Sequence, residues 1–360
     1  MKSHAVLCLL LFVWVTGCSQ KQTAPTPNGS KHSTPAKPSP PPPPKVVILP
    51  PTDNQALFEA GAEEVYFMPT RTDRPWTSGA FGCVRNSGGR MHEGLDIRPL
   101  RRDSRGEALD EIRAAANGVI AFINANAGAS SYGRYIVATH EKDGLSFYTL
   151  YAHMAKIAEG IAPQTVVKAG DLLGIMGRSA NHDIPIERAH LHFEIGFMGS
   201  RDFNVWMRKH YEDPSFNKFS LWHGFNLLGL NPLVILREQK KQGDAFNLAK
   251  HVAQTPQLMR FRVRGANLPL SKRLPGLLLN GEEEPFAGHE IDVNMNGTPL
   301  RIRGLPDYPA GSPRYGLVSV NEEVALGNRC RQLVVKTGAR WQLTAKGHRL
   351  VDLLATGVSD

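Results

Sequence analysis

Cysteine is scarce in this 360-residue chain: there are four, and Cys8 and Cys18 lie inside or just after a leading apolar run. That is too few for a disulfide framework or a cysteine-rich zinc ribbon. Long apolar runs are scarcer still. The one that approaches membrane length, Ala5 to Val15, is too short for a bilayer span, which excludes a polytopic membrane protein. Acidic residues are absent from Ser19 to Pro50, and over the whole chain 33 acids face 42 Lys and Arg. The resulting formal charge of +9 favours polyanionic surroundings, but no motif for a nucleic-acid partner accompanies it. What is present, 41% apolar residues over this length, is enough to build cores in more than one domain.

Lys2 supplies a positive start, Ala5 to Val15 an apolar core, and Val15-Thr16-Gly17-Cys18 sets small residues just before a cysteine. That order reads as an export signal. The segment resembles a bacterial lipoprotein signal with a V-T-G-C lipobox. The resemblance implies a signal peptide over 1–17, lipidation of Cys18 and a chain anchored by lipid to a membrane of the cell envelope. The competing reading is an ordinary secretory peptide with an incidental cysteine. Residues 18–64 are expected to be a lipidated cysteine followed by a Pro-rich disordered tether, since Pro, Ser, Thr and Lys with the run Pro40 to Pro44 cannot bury a core. In polyproline II such a tether reaches on the order of 100 Å.

Beyond Val65 the pattern changes to short apolar runs broken by glycine: Gly118 to Ile123, Tyr135 to Ala138, Leu145 to Tyr151, Leu172 to Met176 and Leu191 to Phe197. Their lengths and their Val, Ile, Tyr and Phe content argue strands. Asp143-Gly144 between two of them signals a hairpin, because a tight primed turn needs positive φ. Helical signals are few, Glu107 to Ala116 being the clearest. The expected fold class is mainly β: a small antiparallel β-sheet domain whose loops carry the chemistry, followed by a C-terminal β-rich (α+β) domain.

His92-Glu93-Gly94-Leu95-Asp96 sets an imidazole and a carboxylate four apart, and His190-Leu191-His192 sets two imidazoles two apart. In a strand, residues i and i+2 share a face, so His190 and His192 project together while Leu191 packs behind them. His153 closes another expected strand, within reach of the same cleft. Imidazole nitrogen and carboxylate oxygen suit zinc, and three protein ligands with one open position is the catalytic pattern. Either motif alone is common by accident, and a lone histidine is usually a surface or core residue. Together, with His153 between them, they point to a metal centre that has three ligands and spares. Other histidines, such as His140 and His289, lack this spacing and read as surface or packing residues. His92-Glu93 with Asp96 also imitates the helical H-E-x-x-H motif, but Gly94 and the nearby Gly88-Gly89 and Pro99 oppose a helix there. Glu93 is therefore read as a solvent or supporting residue and not as the general base.

Taken in order, H-x-x-x-D, a histidine near a tyrosine, and H-x-H resemble the lysostaphin-type, or LytM-like, zinc metallopeptidases. Further phrases match: Phe81-Gly82, Ala116 to Val119, Tyr132 to Tyr135, Val167 to Gly174 and Asn231-Pro232. The resemblance covers about 65–236. It implies an antiparallel sheet with a groove over it, one zinc ion held by His92, Asp96 and His192, and catalytic imidazoles at His153 and His190. It also implies a peptidoglycan peptide as substrate and a zinc-activated water as nucleophile, its proton passing to His190 or His153. Three departures stand out. Asn181 to Ala189 forms a longer, more charged loop before H-x-H. An aromatic insertion occupies about 198–230 (Phe203, Trp206, Tyr211, Phe216, Trp222, Phe225) and reads as a small core in preference to a glycan-stacking surface. No tyrosine lies between Phe67 and Met91 to steady an oxyanion.

Residues 237–360 are expected to form a charged, helix-compatible linker and a β-rich domain. In it Met259 to Arg264 and Leu300 to Arg303 alternate apolar and basic residues as a one-sided sheet does. Trp341 to Leu354 reads as a short helix with Thr344 as N-cap. Cys83 and Cys330 could pair in an oxidising compartment, though nothing in the sequence brings them together. The expected function is a zinc endopeptidase acting on peptidoglycan cross-links. The alternatives are a stem-peptide carboxypeptidase, and a non-catalytic wall-binding or amidase-activating protein, a class that characteristically loses ligands present here. A labelled fatty acid is expected to attach to the wild-type protein and not to Cys18→Ala; equal labelling of the two removes the lipid anchor.

Overall fold

The computed structural model of the protein describes Gly17, residues 46–279 and residues 286–359. Cys18, most of the tether and the rest of the expected signal peptide lie outside the described residues. No helix among the described residues is long and apolar enough to cross a membrane.

Short alternating runs and tight turns give a succession of antiparallel strands: β1 (Gly82–Arg85), β2 (Arg90–His92), β3 (Leu95–Ile97), β4 (Glu111–Arg113), β5 (Gly118–Asn124), β6 (Tyr135–Lys142), β7 (Leu145–Ala152), β8 (Lys156–Ile157), β9 (Val166–Val167), β10 (Leu172–Ile175), β11 (Leu191–Met198) and β12 (Leu227–Leu230). The main sheet runs β12-β11-β7-β6-β5-β9, with β3 also paired to β11, while β4-β10-β8 forms a second, smaller sheet. β6 and β7 pair from Ile136 opposite Tyr151 to Lys142 opposite Leu145. The turn between them holds Asp143 at φ 54° and Gly144 at φ 72°, the left-handed pair that a two-residue hairpin requires.

Both faces of β7 are buried. Leu145, Phe147 and Tyr151 join the principal core, whereas Tyr148, Leu150 and Ala152 join a second cluster with Tyr135, Val137, Trp222 and Leu227. Trp222 and Leu227 belong to the aromatic insertion, so part of that segment caps the sheet. Its helix Phe203–His210 buries Phe203, Trp206 and Met207 against Leu353. Packing therefore accounts for most of its aromatic residues, and Phe216 and Phe225 are left exposed.

Two expectations about the first half of the chain need correction. The Glu107 to Ala116 stretch contains a short strand, β4, and no helix. The Asp110 carboxylate accepts from the backbone N–H groups of Leu100 and Arg101, the Asp110 carbonyl accepts from Met176 N–H, and Ile112 is buried opposite Gly174. Tertiary pairing thus overrides local helix propensity. The expected tether, drawn to residue 64, also ends earlier. Ile48 and Leu57 are buried in the principal core, and Leu49 N–H donates to Ala115 O, because Val46-Val47-Ile48-Leu49 is apolar enough to dock.

The C-terminal segment adds β13 (Met259–Arg264), β14 (Gly288–Val293), β15 (Pro299–Leu305) and β16 (Tyr315–Val320) in the order β15-β14-β13-β16, then the hairpin β17 (Val334–Thr337) and β18 (Arg340–Leu343). Met259, Phe261 and Val263 are fully buried, while the arginines between them face outward. Arg260 and Arg301 both bind Asp292, so the basic face is partly neutralised by its own strand partners. The last helix is Ala345–Leu354; Thr344 caps it by accepting from Gly347 N–H at 3.1 Å. It begins later than expected because Trp341 is committed to β18. The helix Pro232–Gln242 straddles the expected boundary at 236/237, and one core cluster contains Phe193 of the main sheet with Phe261 and Ile291 of the C-terminal sheet.

Cys83 in β1 is disulfide-bonded to Cys330, 247 residues away. Closing so long a loop restricts the unfolded chain strongly. Cys83→Ser is expected to lower unfolding stability by about 3–5 kcal/mol, read as a shift of the denaturation midpoint under non-reducing conditions; an unshifted midpoint would show that the bond contributes nothing.

Candidate metal centre

β3, β11 and β7 lie side by side, and their register assembles the site. Asp96 on β3 pairs with His192 on β11, and His192 pairs in turn with Ala152 at the end of β7, one residue before His153. His92 ends β2, and His190 sits just ahead of β11 on an isolated bridge to Gly177. All five residues singled out in the sequence are buried and come together. The His153 ring is 4.7 Å from that of His190 and 5.9 Å from that of His192, centroid to centroid.

Each imidazole is turned by an acceptor behind it. His92 Nδ1 donates to Ala80 O at 2.7 Å, His153 Nδ1 to Ser179 O at 2.9 Å, and His190 Nδ1 to Arg188 O at 2.6 Å. Carbonyl oxygen only accepts, so these bonds place the proton on Nδ1 and leave Nε2 of each ring free. His192 is turned the other way: its Nε2 donates to Glu194 Oε1 at 2.9 Å, which presents Nδ1. Glu194 is itself held by Tyr132 and Tyr148, whose hydroxyls donate at 2.6 and 2.9 Å.

His92 Nε2, His192 Nδ1 and Asp96 Oδ1 therefore form a triangle with all three sides 3.1 Å. These three are the cluster among the described residues able to hold a metal ion. Three lone-pair acceptors facing one another repel unless a cation lies between them. Zinc bonds of about 2.1 Å at tetrahedral angles separate ligand atoms by about 3.4 Å, so donor set and spacing both fit a zinc ion with an open corner. The carboxylate behind His192 and the carbonyl behind His92 are the kind of partners that orient ligating histidines.

Without an ion, a proton substitutes. Burial disfavours charge on His192, but hydrogen bonds to Asp96 and Glu194 and their negative charge outweigh it and raise its pKa to about 9. Burial favours a neutral Asp96, yet His190, His92 and Arg85 hold it well below the usual carboxylate range. His153 is pushed well below the ordinary imidazole value by burial, then by His190 and His192, which keeps it neutral and able to accept a proton. It also has φ 61°, a left-handed conformation that costs a non-glycine residue free energy and clusters at functional sites. The strain is held by His153 N–H donating to Tyr132 O. Gly133 makes room for this arrangement: a Cβ there would lie 2.0 Å from Ser179 O.

The charged loop Asn181 to Ala189 forms a fixed wall. Arg102 donates to Ile186 O and Glu187 O, and Arg188 Nε to Pro69 O. Sequence reasoning missed Glu194, Tyr132 and Tyr148 as supports, although Glu194 shares the i, i+2 spacing of His190 and His192. It also missed Arg85, whose Nη2 lies 2.6 Å from Asp96 Oδ2. Glu93 stands 3.9 Å from Arg331, outside the cluster, as a supporting residue. A cleft of about 1330 Å³ lies elsewhere, lined by Phe81, Ile235 and Asn321 among others and by none of the five.

Residues 90–204 match the model of Peptidase family M23, within the stretch whose motifs resemble the LytM-like metallopeptidases. Solved structures similar to the chain include the catalytic domain of the antimicrobial peptidase lysostaphin from Staphylococcus simulans (20% identity, 44% of this chain and 87% of that chain, TM-score 0.26). Others are a zinc containing peptidase from Vibrio cholerae (22%, 36% and 33%, TM-score 0.25) and the catalytic domain of the prophage-encoded M23 protein EnpA from Enterococcus faecalis, as a mutant (19%, 32% and 76%, TM-score 0.25). The alignment spans a third of the Vibrio cholerae protein's length. No curated protein matches the chain.

Proton and metal compete for His192. The metal-free protein gains stability from the charged imidazole below its ordinary value of 6.5, and this is lost as pH rises through about 9. Apparent zinc affinity is accordingly expected to rise by up to about tenfold per pH unit over that window, at one ion per chain, and to collapse in His92→Ala. Calorimetric titration at several pH values checks this; a pH-independent affinity would contradict it.

Proposed function

We propose that the protein is a zinc-dependent peptidoglycan hydrolase that cleaves peptide cross-links as an endopeptidase, held to a membrane of the cell envelope by lipid on Cys18. The observation that carries the catalytic part is the triangle of His92, Asp96 and His192 acceptors with two further imidazoles, His153 and His190, turned with Nε2 away from the carbonyls behind them. A zinc ion bound there supplies Lewis acidity and lowers the pKa of a water toward 7. The chain's own residues do the rest. Neutral His153 takes a proton at Nε2. His190 Nε2, 3.4 Å from Asp96 Oδ2, stands beside the metal triangle, where an N–H can donate to a developing oxyanion or to the leaving amine. Burial of all five groups excludes bulk water and strengthens each of these interactions.

The export-like start, the Pro-rich stretch and the matched peptidase segment support an envelope substrate. Purified protein is expected to release peptide fragments from intact sacculi, and a chelator to stop it; the fragment masses separate cross-link cleavage from trimming of stem peptides. His153→Ala and His190→Ala are each expected to keep one zinc per chain while losing roughly 10² to 10⁴ in turnover. Release that persists in chelator, or full turnover in both variants, would overturn the proposal.

A further inference from the structure

Arg85 stands at the end of β1 with its guanidinium against Asp96: Nη2 lies 2.6 Å from Oδ2, while Oδ1 faces the two ligand imidazoles. Its Nε is fully buried and has no hydrogen-bond partner among the described residues. A guanidinium carries its donors in a planar fork and stays charged, so an unused buried N–H beside a reaction centre calls for an acceptor from outside. The side chain has little freedom to find one elsewhere. The β1–β2 hairpin pairs Gly82 with His92 and Arg85 with Arg90, and Cys83, two residues earlier, is bonded to Cys330.

The charges around it lean the same way. Glu194 is spent on His192 and two tyrosines, and Glu93 faces Arg331. A second guanidinium, half-buried Arg188, is fixed through Nε to Pro69 O and lies close enough to feel both Asp96 and Arg85. A neutral peptide backbone has no use for two guanidinium groups fixed at one place, whereas a carboxylate does. Arg85 and His190 converge on the same oxygen, Asp96 Oδ2. A group held at Arg85 is thus next to the nitrogen that His190 would protonate.

We propose that Arg85 receives a free carboxylate carried by the leaving residue, on the carbon beside the scissile nitrogen, and so selects which amides are cut. The inference rests on the peptidase reading. In the step itself water adds to the amide carbon, the C–N bond breaks, the acyl half leaves as a new carboxylic acid and the amine departs with the transferred proton. The selecting carboxylate takes no part in the bond changes. Two sources share this chemistry: the last residue of a peptide, and a cross-link made through an amine whose own carbon bears a carboxyl group. A bridge of unbranched residues inside a chain lacks it.

The test uses the full zinc-loaded protein and two pairs of synthetic peptides, one linear and one branched through a diamino acid, each with that carboxyl group either free or as the carboxamide. The wild type is expected to cleave the free acid with kcat/KM at least about tenfold above the amide, and the branched against the linear pair tells which source is used. Arg85→Gln is expected to bring the ratio near one, with the loss concentrated in KM for the acid, and Arg85→Lys to restore part of it. Binding of the same peptides to zinc-loaded His153→Ala, followed by calorimetry, should show the same preference without turnover. Equal rates and equal binding for acid and amide overturn the inference, as does an Arg85→Gln that weakens both alike and loses zinc, the mark of a purely structural role through Asp96. If the wild type cleaves neither peptides nor sacculi, the peptidase reading fails, and the binding comparison still decides the role of Arg85.

Discussion

The site depends on where four imidazole protons are held. Three backbone carbonyls and one carboxylate sit behind His92, His153, His190 and His192 and accept from one nitrogen of each ring, which fixes what the other nitrogen offers. Turn any one of these rings over and a donor replaces an acceptor at the centre. The carbonyls come from two connections, Ala80 ahead of β1 and Ser179 and Arg188 both between β10 and β11, so these loops are as much part of the constellation as the histidines they aim.

Those loops are in turn placed by strand register. Asp96 opposite His192, and His192 opposite Ala152, follow from the pairing of β3, β11 and β7. Because side chains alternate along a strand, a slip of one residue in β11 would turn both His192 and Glu194 to the other face. The buried partners on that other face, Leu191, Phe193 and Ile195, make such a slip costly. The apolar half of the alternation therefore protects the polar half. The aromatic insertion contributes on the same face of the sheet as His192 and Glu194, where Trp222 and Leu227 pack with Tyr148, Leu150 and Ala152 of β7.

Much of this was legible in the residues. The main strands, the Asp143-Gly144 turn, the Thr344 cap and the convergence of His92, Asp96, His153, His190 and His192 all follow from spacing and alternation. What was not legible depended on contacts distant in sequence. Glu107 to Ala116 has helical composition, but its backbone is claimed by β10 and by the loop that Asp110 caps. Val46 to Leu49 reads as the end of a Pro-rich stretch until a surface exists for Ile48 to dock on. Nothing local links Cys83 with Cys330. Arg85 carried no motif at all; its place beside Asp96 emerges when β1 is folded against β2.

The clasp between Cys83 and Cys330 bears on how far a module extends. The recognisable stretch begins at residue 90 and ends at 204, yet the carbonyl that aims His92 belongs to Ala80, and the hairpin carrying that segment is fastened to a loop near the other end of the chain. The piece shared by likeness is therefore narrower than the piece that is structurally whole. An excision along the recognisable borders would retain all five named side chains and still discard part of what keeps them in order.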